Sequence, residues 1–276
     1  MTIAITGATG QLGRLAIAAL RARGATPIAL ARDPAKAADL GVETRAFDYT
    51  NADPAALKGV DTLVLISSND LHDRVGQHRK AIAAAKQAGV ARIVYTSLLR
   101  GAANPMGLAL DHGPTEAALT ESGIAHTVLR NGWYTENYTG ALGAALAHGA
   151  MIGAAGDGRV SSAARTDYAE AIAVVALDAS HVGKVYELAG DTAHTGADLA
   201  AAVAKAAGKP VAYVNMTEAD YAKALESFGL PPVLAGALAD SESWAAKGML
   251  YDDSRTLSRL IGRPTTPIAD TIAAAL

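Results

Sequence analysis

A short apolar run ends in Thr6-Gly7-Ala8-Thr9-Gly10-Gln11-Leu12-Gly13 and passes straight into a helix-like pattern, a junction that constrains the fold more than any other feature of the chain. Glycine at these positions lets the backbone turn tightly and approach a pyrophosphate, whose charge meets the free N–H groups and positive end of the following helix. The spacing is G-x-x-G-x-x-G, and the strand before it and helix after it are the context in which such a fingerprint means dinucleotide binding. The plainer alternative is that the glycines only turn the chain from strand to helix.

The same alternation continues through the first half. Apolar runs at 2–6, 26–31, 42–47, 62–67, 92–97 and 125–129 predict strands, and periodic, Ala-rich stretches at 11–23, 75–88 and 114–121 predict helices between them. Strands that are apolar on both faces and separated by helices predict a parallel sheet covered on both sides, because each parallel return needs a crossover. Beyond Ala150 the rhythm loosens into a Gly-rich turn at 153–158, a helix at 168–177, a strand at 184–188, and then mostly helices, with Pro231-Pro232 as punctuation. The expected fold class is therefore α/β, a Rossmann-type doubly wound parallel sheet with a smaller, mostly helical C-terminal lobe. Residues 1–150 form the expected NADP-binding domain and 151–276 the expected substrate lobe, with a soft boundary and with the helices across 217–250 shaping the acceptor pocket.

Composition narrows the chemistry. A 276-residue chain without cysteine has no disulfide, no thiolate nucleophile and no Cys-ligated zinc, and it suits a reducing cytoplasm. The seven histidines are scattered and form no metal-ligand spacing, so no metal is expected. A net charge of −3, with His78-Arg79-Lys80 as the longest basic stretch, gives no electrostatic support for nucleic-acid binding, and no apolar run is long enough to span a membrane. An Ala-rich helix such as 114–121 is suited equally to internal packing and to a homo-oligomer contact.

The end of the second strand, Ala31-Arg32-Asp33-Pro34, bears on which dinucleotide is held. An acid here grips the ribose 2′-hydroxyl, whereas a guanidinium pairs with a 2′-phosphate. Arg32 comes first and points to NADP(H). The alternative gives the ribose to Asp33 and leaves Arg32 in solvent. Asp48 after the third strand suits either a turn or the adenine edge.

Reduction of a carbonyl to an alcohol requires a proton for the developing alkoxide, commonly supplied by a Tyr with Lys four residues later on one helix face. None of the nine tyrosines has lysine at that offset. The strand Ile93-Val94-Tyr95-Thr96-Ser97 carries a serine where a helper is expected, but the helix beyond reads Asp111-His112-Gly113-Pro114-Thr115-Glu116-Ala117. Two readings remain. One is hydride transfer to a quinone, whose phenolate product has a pKa of about 10 and needs no dedicated donor. The other is a redox sensor that binds the dinucleotide without turnover.

The combination of the Thr6 to Gly13 loop, Arg32-Asp33-Pro34, Leu65-Ile66-Ser67-Ser68, Tyr95-Thr96-Ser97-Leu98-Leu99 and Leu129-Arg130-Asn131-Gly132-Trp133-Tyr134 resembles the NmrA-like atypical short-chain dehydrogenases. Within that family it is most similar to the branch of bacterial type 2 NADPH-dependent quinone oxidoreductases. The run continuing as Thr135-Glu136-Asn137-Tyr138 is the more specific marker. Further likeness at 152–158, 184–190 and 260–266 carries the resemblance over essentially the whole chain. The resemblance implies that Gly7, Ala8, Thr9, Gly10, Gln11 and Leu12 cradle the pyrophosphate and that Arg32 meets the 2′-phosphate. It also implies that Ser67, Ser68, Asn69, Asn131, Gly132, Trp133, Tyr134, Thr135 and Glu136 line the ribose and nicotinamide, joined by Arg165, Thr166 and Asp167. Asn137 would be the catalytic residue, its amide hydrogen-bonding a quinone oxygen. Trp133 and Tyr134 serve equally as walls for a flat ring and as core aromatics. One departure is Ala117, where relatives commonly carry Lys. His112 is either a proton relay or a plain helix-start residue.

Overall fold

The computed structural model describes all residues from Met1 to Leu276. In chain order the first half forms β1 (Ile3–Ile5), α1 (Gln11–Ala22), β2 (Ile28–Ala31), β3 (Thr44–Ala46), β4 (Thr62–Leu65), α2 (Arg74–Gln87), β5 (Arg92–Leu98), α3 (His112–Ser122) and β6 (Ala125–Asn131). There follow α4 (Glu136–Thr139), α5 (Leu142–His148), β7 (Ala150–Gly153), α6 (Arg165–Leu177), β8 (Val185–Leu188), α7 (Gly196–Ala207), β9 (Ala212–Asn215), α8 (Glu218–Ser227), α9 (Pro232–Ala245), α10 (Thr256–Ile261) and α11 (Ile268–Ala275).

Seven strands form one sheet in the order β3-β2-β1-β4-β5-β6-β8, and every pair from β3 to β6 is parallel. The strand order reverses between β1 and β4, which opens a crevice at their carboxyl ends where such sheets bind ligands. Every residue of β1, β2 and β4 is buried, as a sheet covered on both faces requires. Ala81, Ile82 and Ala85 of α2 and Ala118 and Leu119 of α3 close one hydrophobic core over Leu63, Leu65, Ile93 and Tyr95. Elsewhere α1 buries Leu12, Ala16, Ile17 and Leu20 and packs against the small-residue helix α6.

Two compact units share the chain. One comprises Met1–Ala102, Asp111–Asn131 and Arg165–Tyr186; the other comprises Ala103–Leu110, Gly132–Ala164 and Glu187–Leu276. The units interleave, whereas the sequence suggests one cut near 150; α6 lies beyond that point yet packs on α1. The second unit has its own core, where Leu142, Ala145 and Met151 meet Leu199, Ala200, Val203 and Ile272.

Three differences from the sequence expectations have local causes. Strand β6 runs to Asn131, two residues past the expected end, because Arg130 and Asn131 continue the register opposite Ser97 and Leu98. Helix α3 starts at His112, ahead of Pro114, which is tolerated because the first turn leaves its N–H groups unpaired. A two-stranded parallel sheet, β7 with β9, occupies part of the region expected to be turn and helix. Its runs Ala-Met-Ile-Gly and Ala-Tyr-Val-Asn are too short to show a period. No helix is long and apolar enough to cross a membrane, and no group of three or more His, Cys, Asp or Glu is placed to hold a metal ion.

Candidate dinucleotide-binding site

The loop between β1 and α1 is shaped by its glycines. Gly7 adopts φ +60°, a conformation that strains other L-residues, and its carbonyl accepts the Gly10 N–H at 2.9 Å. Gly13, in the first turn of α1, packs so closely on the loop that a Cβ there would lie 2.2 Å from the Gly7 oxygen. Gly10 precedes the helix in an extended conformation and supplies no side-chain cap. The first-turn N–H groups of α1 are thus left for an anion. Ala8 and Leu12 are buried supports, while Gly10 and Gln11 are exposed.

Arg32 and Asp33 follow β2 and, with Thr9 and Lys36, line an open cleft of about 350 Å³. Asp33 accepts the Ala35 N–H at 3.1 Å and so caps the turn Pro34–Leu40. Its carboxylate therefore has a local structural task in that turn. Lys36 adds a second cation to the cleft. Arg14 of α1 ties this turn to the glycine loop: Nε donates to the Thr9 carbonyl at 3.2 Å, one terminal nitrogen to the Lys36 carbonyl at 2.9 Å, and the other to Asp39 at 2.6 Å. The sequence reading missed both Arg14 and Lys36.

At the end of β4, Ser68 is held on all its polar atoms by α2. Its N–H donates to His78 Nε2 at 2.9 Å, its hydroxyl to Gln77 at 2.6 Å, and its carbonyl accepts from Arg74 Nε at 2.8 Å. The Ser68 side chain is consequently an anchor of the loop, with half-buried Ser67 and exposed Asn69 on either side. His78 Nδ1 lies 3.0 Å from the Thr115 hydroxyl, which itself donates to the Asp111 carbonyl, so the proton between them belongs to Nδ1. Burial, and then the nearby Arg74 charge, push the His78 pKa down to about 3. The ring is a neutral acceptor for Ser68. Beside this loop, the Tyr49 hydroxyl spans the Thr6 hydroxyl at 2.6 Å and the Ile66 carbonyl at 2.5 Å, joining the ends of β1 and β4.

At the ends of β5 and β6, Ser97 donates to Glu116 at 2.6 Å, and Glu116 also takes two hydrogen bonds from Arg130, at 3.0 and 2.6 Å. Ser97 and Arg130 are register partners in the parallel pair, and α3 delivers the carboxylate to both. Gly101 makes room, since a Cβ there would lie 2.6 Å from the Arg130 guanidinium. Tyr95 is fully buried and bonded to His112 Nδ1 at 2.8 Å. His112 is a buried residue at the start of α3, and burial, with Arg74 second and His78 third, pushes its pKa down to about 3. In the first turn of α6, Asp167 is fully buried, Arg165 is half-buried and Thr166 is exposed.

Asn131 closes β6 as a buried residue. The remaining predicted positions lie in the second unit. Gly132 donates to the Leu188 carbonyl at 2.7 Å; Trp133 and Thr135 pair with Ala163 at 3.1 and 2.9 Å; Tyr134 bridges the same residue. Trp133 and Thr135 are buried, Tyr134 and Glu136 are half-buried, and Asn137, in the short helix α4, is exposed.

A parallel sheet whose order reverses beneath a glycine loop and helix N-terminus defines a Rossmann-type dinucleotide-binding protein. The chain belongs to the NmrA-like family, whose model matches residues 1–268. It is 53% identical over 278 residues to Quinone oxidoreductase 2 of Escherichia coli (strain K12), covering 98% of this chain and 97% of the relative. The crystal structure of an NADPH-dependent quinone oxidoreductase from Escherichia coli, complexed with NADPH, matches with a TM-score of 0.94 at 53% identity, covering 99% of each chain. The triphenylmethane reductase of a Citrobacter species, complexed with NADP(H), matches at TM-score 0.92 and 34% identity over 99% of this chain and 100% of that one. The family resemblance and the α/β Rossmann-type expectation are both borne out.

Proposed function

We propose that the protein is an NADPH-dependent quinone reductase. The observation that carries this reading is the capture of the β5 serine: Ser97 donates into the Glu116 and Arg130 pair, and Tyr95 is buried against His112. Neither is placed as a proton donor to an alkoxide, so the acceptor that suits the site is one whose reduced form is a stable phenolate. The likeness to quinone oxidoreductases from Escherichia coli supports the same acceptor.

The residues present fit the cofactor: Gly7 and Gly13 open a cradle at the positive end of α1, and Arg32 and Lys36 flank a cleft sized for a phosphorylated ribose. When bound, NADPH supplies the two electrons and a proton together from its nicotinamide ring. In this proposal the backbone from Gly7 to Leu12 cradles the pyrophosphate, with the Gln11 and Leu12 N–H groups of the first turn donating to it, Arg32 pairs with the 2′-phosphate, and Ser67 and Asn69 face the ribose from the loop that Ser68 anchors. Asn131, Gly132, Trp133, Tyr134, Thr135 and Glu136, with Arg165, Thr166 and Asp167, remain the proposed nicotinamide-side residues. The Asn137 amide donates to the quinone oxygen as negative charge develops there. The setting proposed is cytoplasmic, without a nucleic-acid partner.

The test is cofactor oxidation, followed by the near-ultraviolet absorbance of the reduced nicotinamide, with and without a small benzoquinone. Quinone-dependent oxidation that favours NADPH over NADH is expected; tight NADPH binding with no turnover across several quinones would return the sensor reading. Asn137→Ala is expected to lower kcat by about tenfold to a hundredfold with cofactor affinity kept. Unchanged kcat would remove Asn137 from the site. Arg32→Ala is expected to raise the KM for NADPH about tenfold or more, the scale of one charge-assisted pair, and to leave NADH nearly unchanged. Equal effects on both cofactors would overturn the assignment of Arg32.

A further inference from the structure

Within the second unit lies a partly open cavity of about 40 Å³ whose walls include Tyr138, Met151, His194, Tyr213, Tyr221 and Glu242. Tyr138 comes from α4, Met151 from β7, Tyr213 from β9, Tyr221 from α8 and Glu242 from α9, so five elements converge on it. Two glycines shape the corner that bears its polar groups. A Cβ at Gly153 would lie 2.8 Å from the Tyr213 hydroxyl and 3.1 Å from Glu242 Oε2, and one at Gly196 would lie 2.4 Å from the Tyr213 ring. The phenol and the carboxyl are therefore held close to one point.

Glu242 accepts the Ala154 N–H at 3.4 Å and has no lysine or arginine partner. Burial pushes its pKa up. His194 supplies no counter-charge, because burial pushes its pKa down and its Nε2 is bonded to the Ser162 hydroxyl at 2.8 Å. The phenols of Tyr138, Tyr213 and Tyr221 are pushed up, chiefly by burial, and are neutral. A carboxyl in such surroundings ionises at low cost only beside a cation, and aromatic walls favour an organic cation. An anion would face the carboxylate, and a hard metal ion would find too few oxygen ligands. At about 10–15 Å³ for each water-sized group, the cavity takes about three non-hydrogen atoms.

We propose that this cavity binds the head of a small alkylammonium ion, its N–H groups directed to Glu242 Oε2 and the Tyr213 hydroxyl and its carbons packed among Tyr138, Tyr221 and Met151. The binding does not depend on the redox reading of the first unit. The ammonium pairs with the ionised form of Glu242, so binding tightens as pH rises through the range in which the free carboxyl titrates.

The probe is ethylammonium chloride, titrated into the full-length protein by calorimetry at fixed ionic strength. Ethanol is the neutral isostere, and tetraethylammonium is a cation too large to enter. Saturable binding of ethylammonium alone is expected, weakening as the pH is lowered and Glu242 takes up a proton. Glu242→Gln is expected to weaken it by about tenfold or more while leaving the urea midpoint similar or higher. If that variant fails to fold, Tyr213→Phe carries the test, with weaker binding of ethylammonium expected. Equal binding of ethanol, no saturation (the result for a cavity that holds water only), or undiminished binding by both variants that fold would each overturn the proposal.

Discussion

Gly13→Ala is expected to abolish measurable NADPH binding at cofactor concentrations that saturate the parent protein. The added Cβ would sit 2.2 Å from the Gly7 carbonyl oxygen and 2.9 Å from the Ala8 Cα, and both are backbone atoms that cannot swing aside. Either α1 withdraws from the loop or the loop opens, and in both cases the first-turn N–H groups lose their aim. Losing two charge-assisted hydrogen bonds of about 1.5–3 kcal/mol each weakens affinity by at least about a hundredfold. Overpacking should also remove about 1–3 kcal/mol of stability in a urea melt. Gly10→Ala is the control for the urea melt, since its Cβ would stand 3.2 Å from the same oxygen, a contact that relaxes with a small shift. Undiminished NADPH affinity in Gly13→Ala would mean that the loop is not the cradle.

Glu116→Ala is expected to be the most destabilising single truncation at the ends of the strands, at about 3 kcal/mol in urea. Arg130 and Glu116 side chains are 23% and 15% exposed, so neither charge is freely hydrated. The variant takes from Arg130 its two-point carboxylate partner and from Ser97 its acceptor. The double replacement Glu116→Leu with Arg130→Met should recover much of the loss, because it removes the two part-buried charges together. A loss below about 1 kcal/mol in the single variant would show that solvent replaces the carboxylate.

The parts of this protein that were legible in its sequence are those set by neighbours along the chain. The glycine loop announces itself because strand, turn and helix follow within a dozen residues, and the alternation of apolar runs with helices fixes a parallel sheet. Arg130 is half legible: a guanidinium within a strand of the sheet demands a counter-ion, yet that Glu116 provides it depends on the register of β5 against β6. Ser68 shows the opposite limit. The family resemblance implied a ribose contact for it, and only the placement of Arg74, Gln77 and His78 on one face of α2 reveals that its polar atoms are already bonded within the protein. Arg14 and Lys36 were hidden because the turn after β2 brings them to the cleft through tertiary contact. The pair β7 and β9 escaped because four residues carry no period and their pairing spans some sixty residues of chain.

The return of α6 to α1 has a consequence for how the protein is made. The ribosome delivers the glycine loop and α1 first, but the helix that covers the flank of α1 begins only at Arg165. At roughly 5–20 residues per second, that flank emerges on the order of 10 s before its cover. Until then the nascent chain carries an apolar helix side with no permanent partner, and the first unit cannot close before Tyr186 has left the exit tunnel. Completion of the first unit is thus a late event in synthesis, set by the arrival of α6 rather than by the early emergence of the glycine loop.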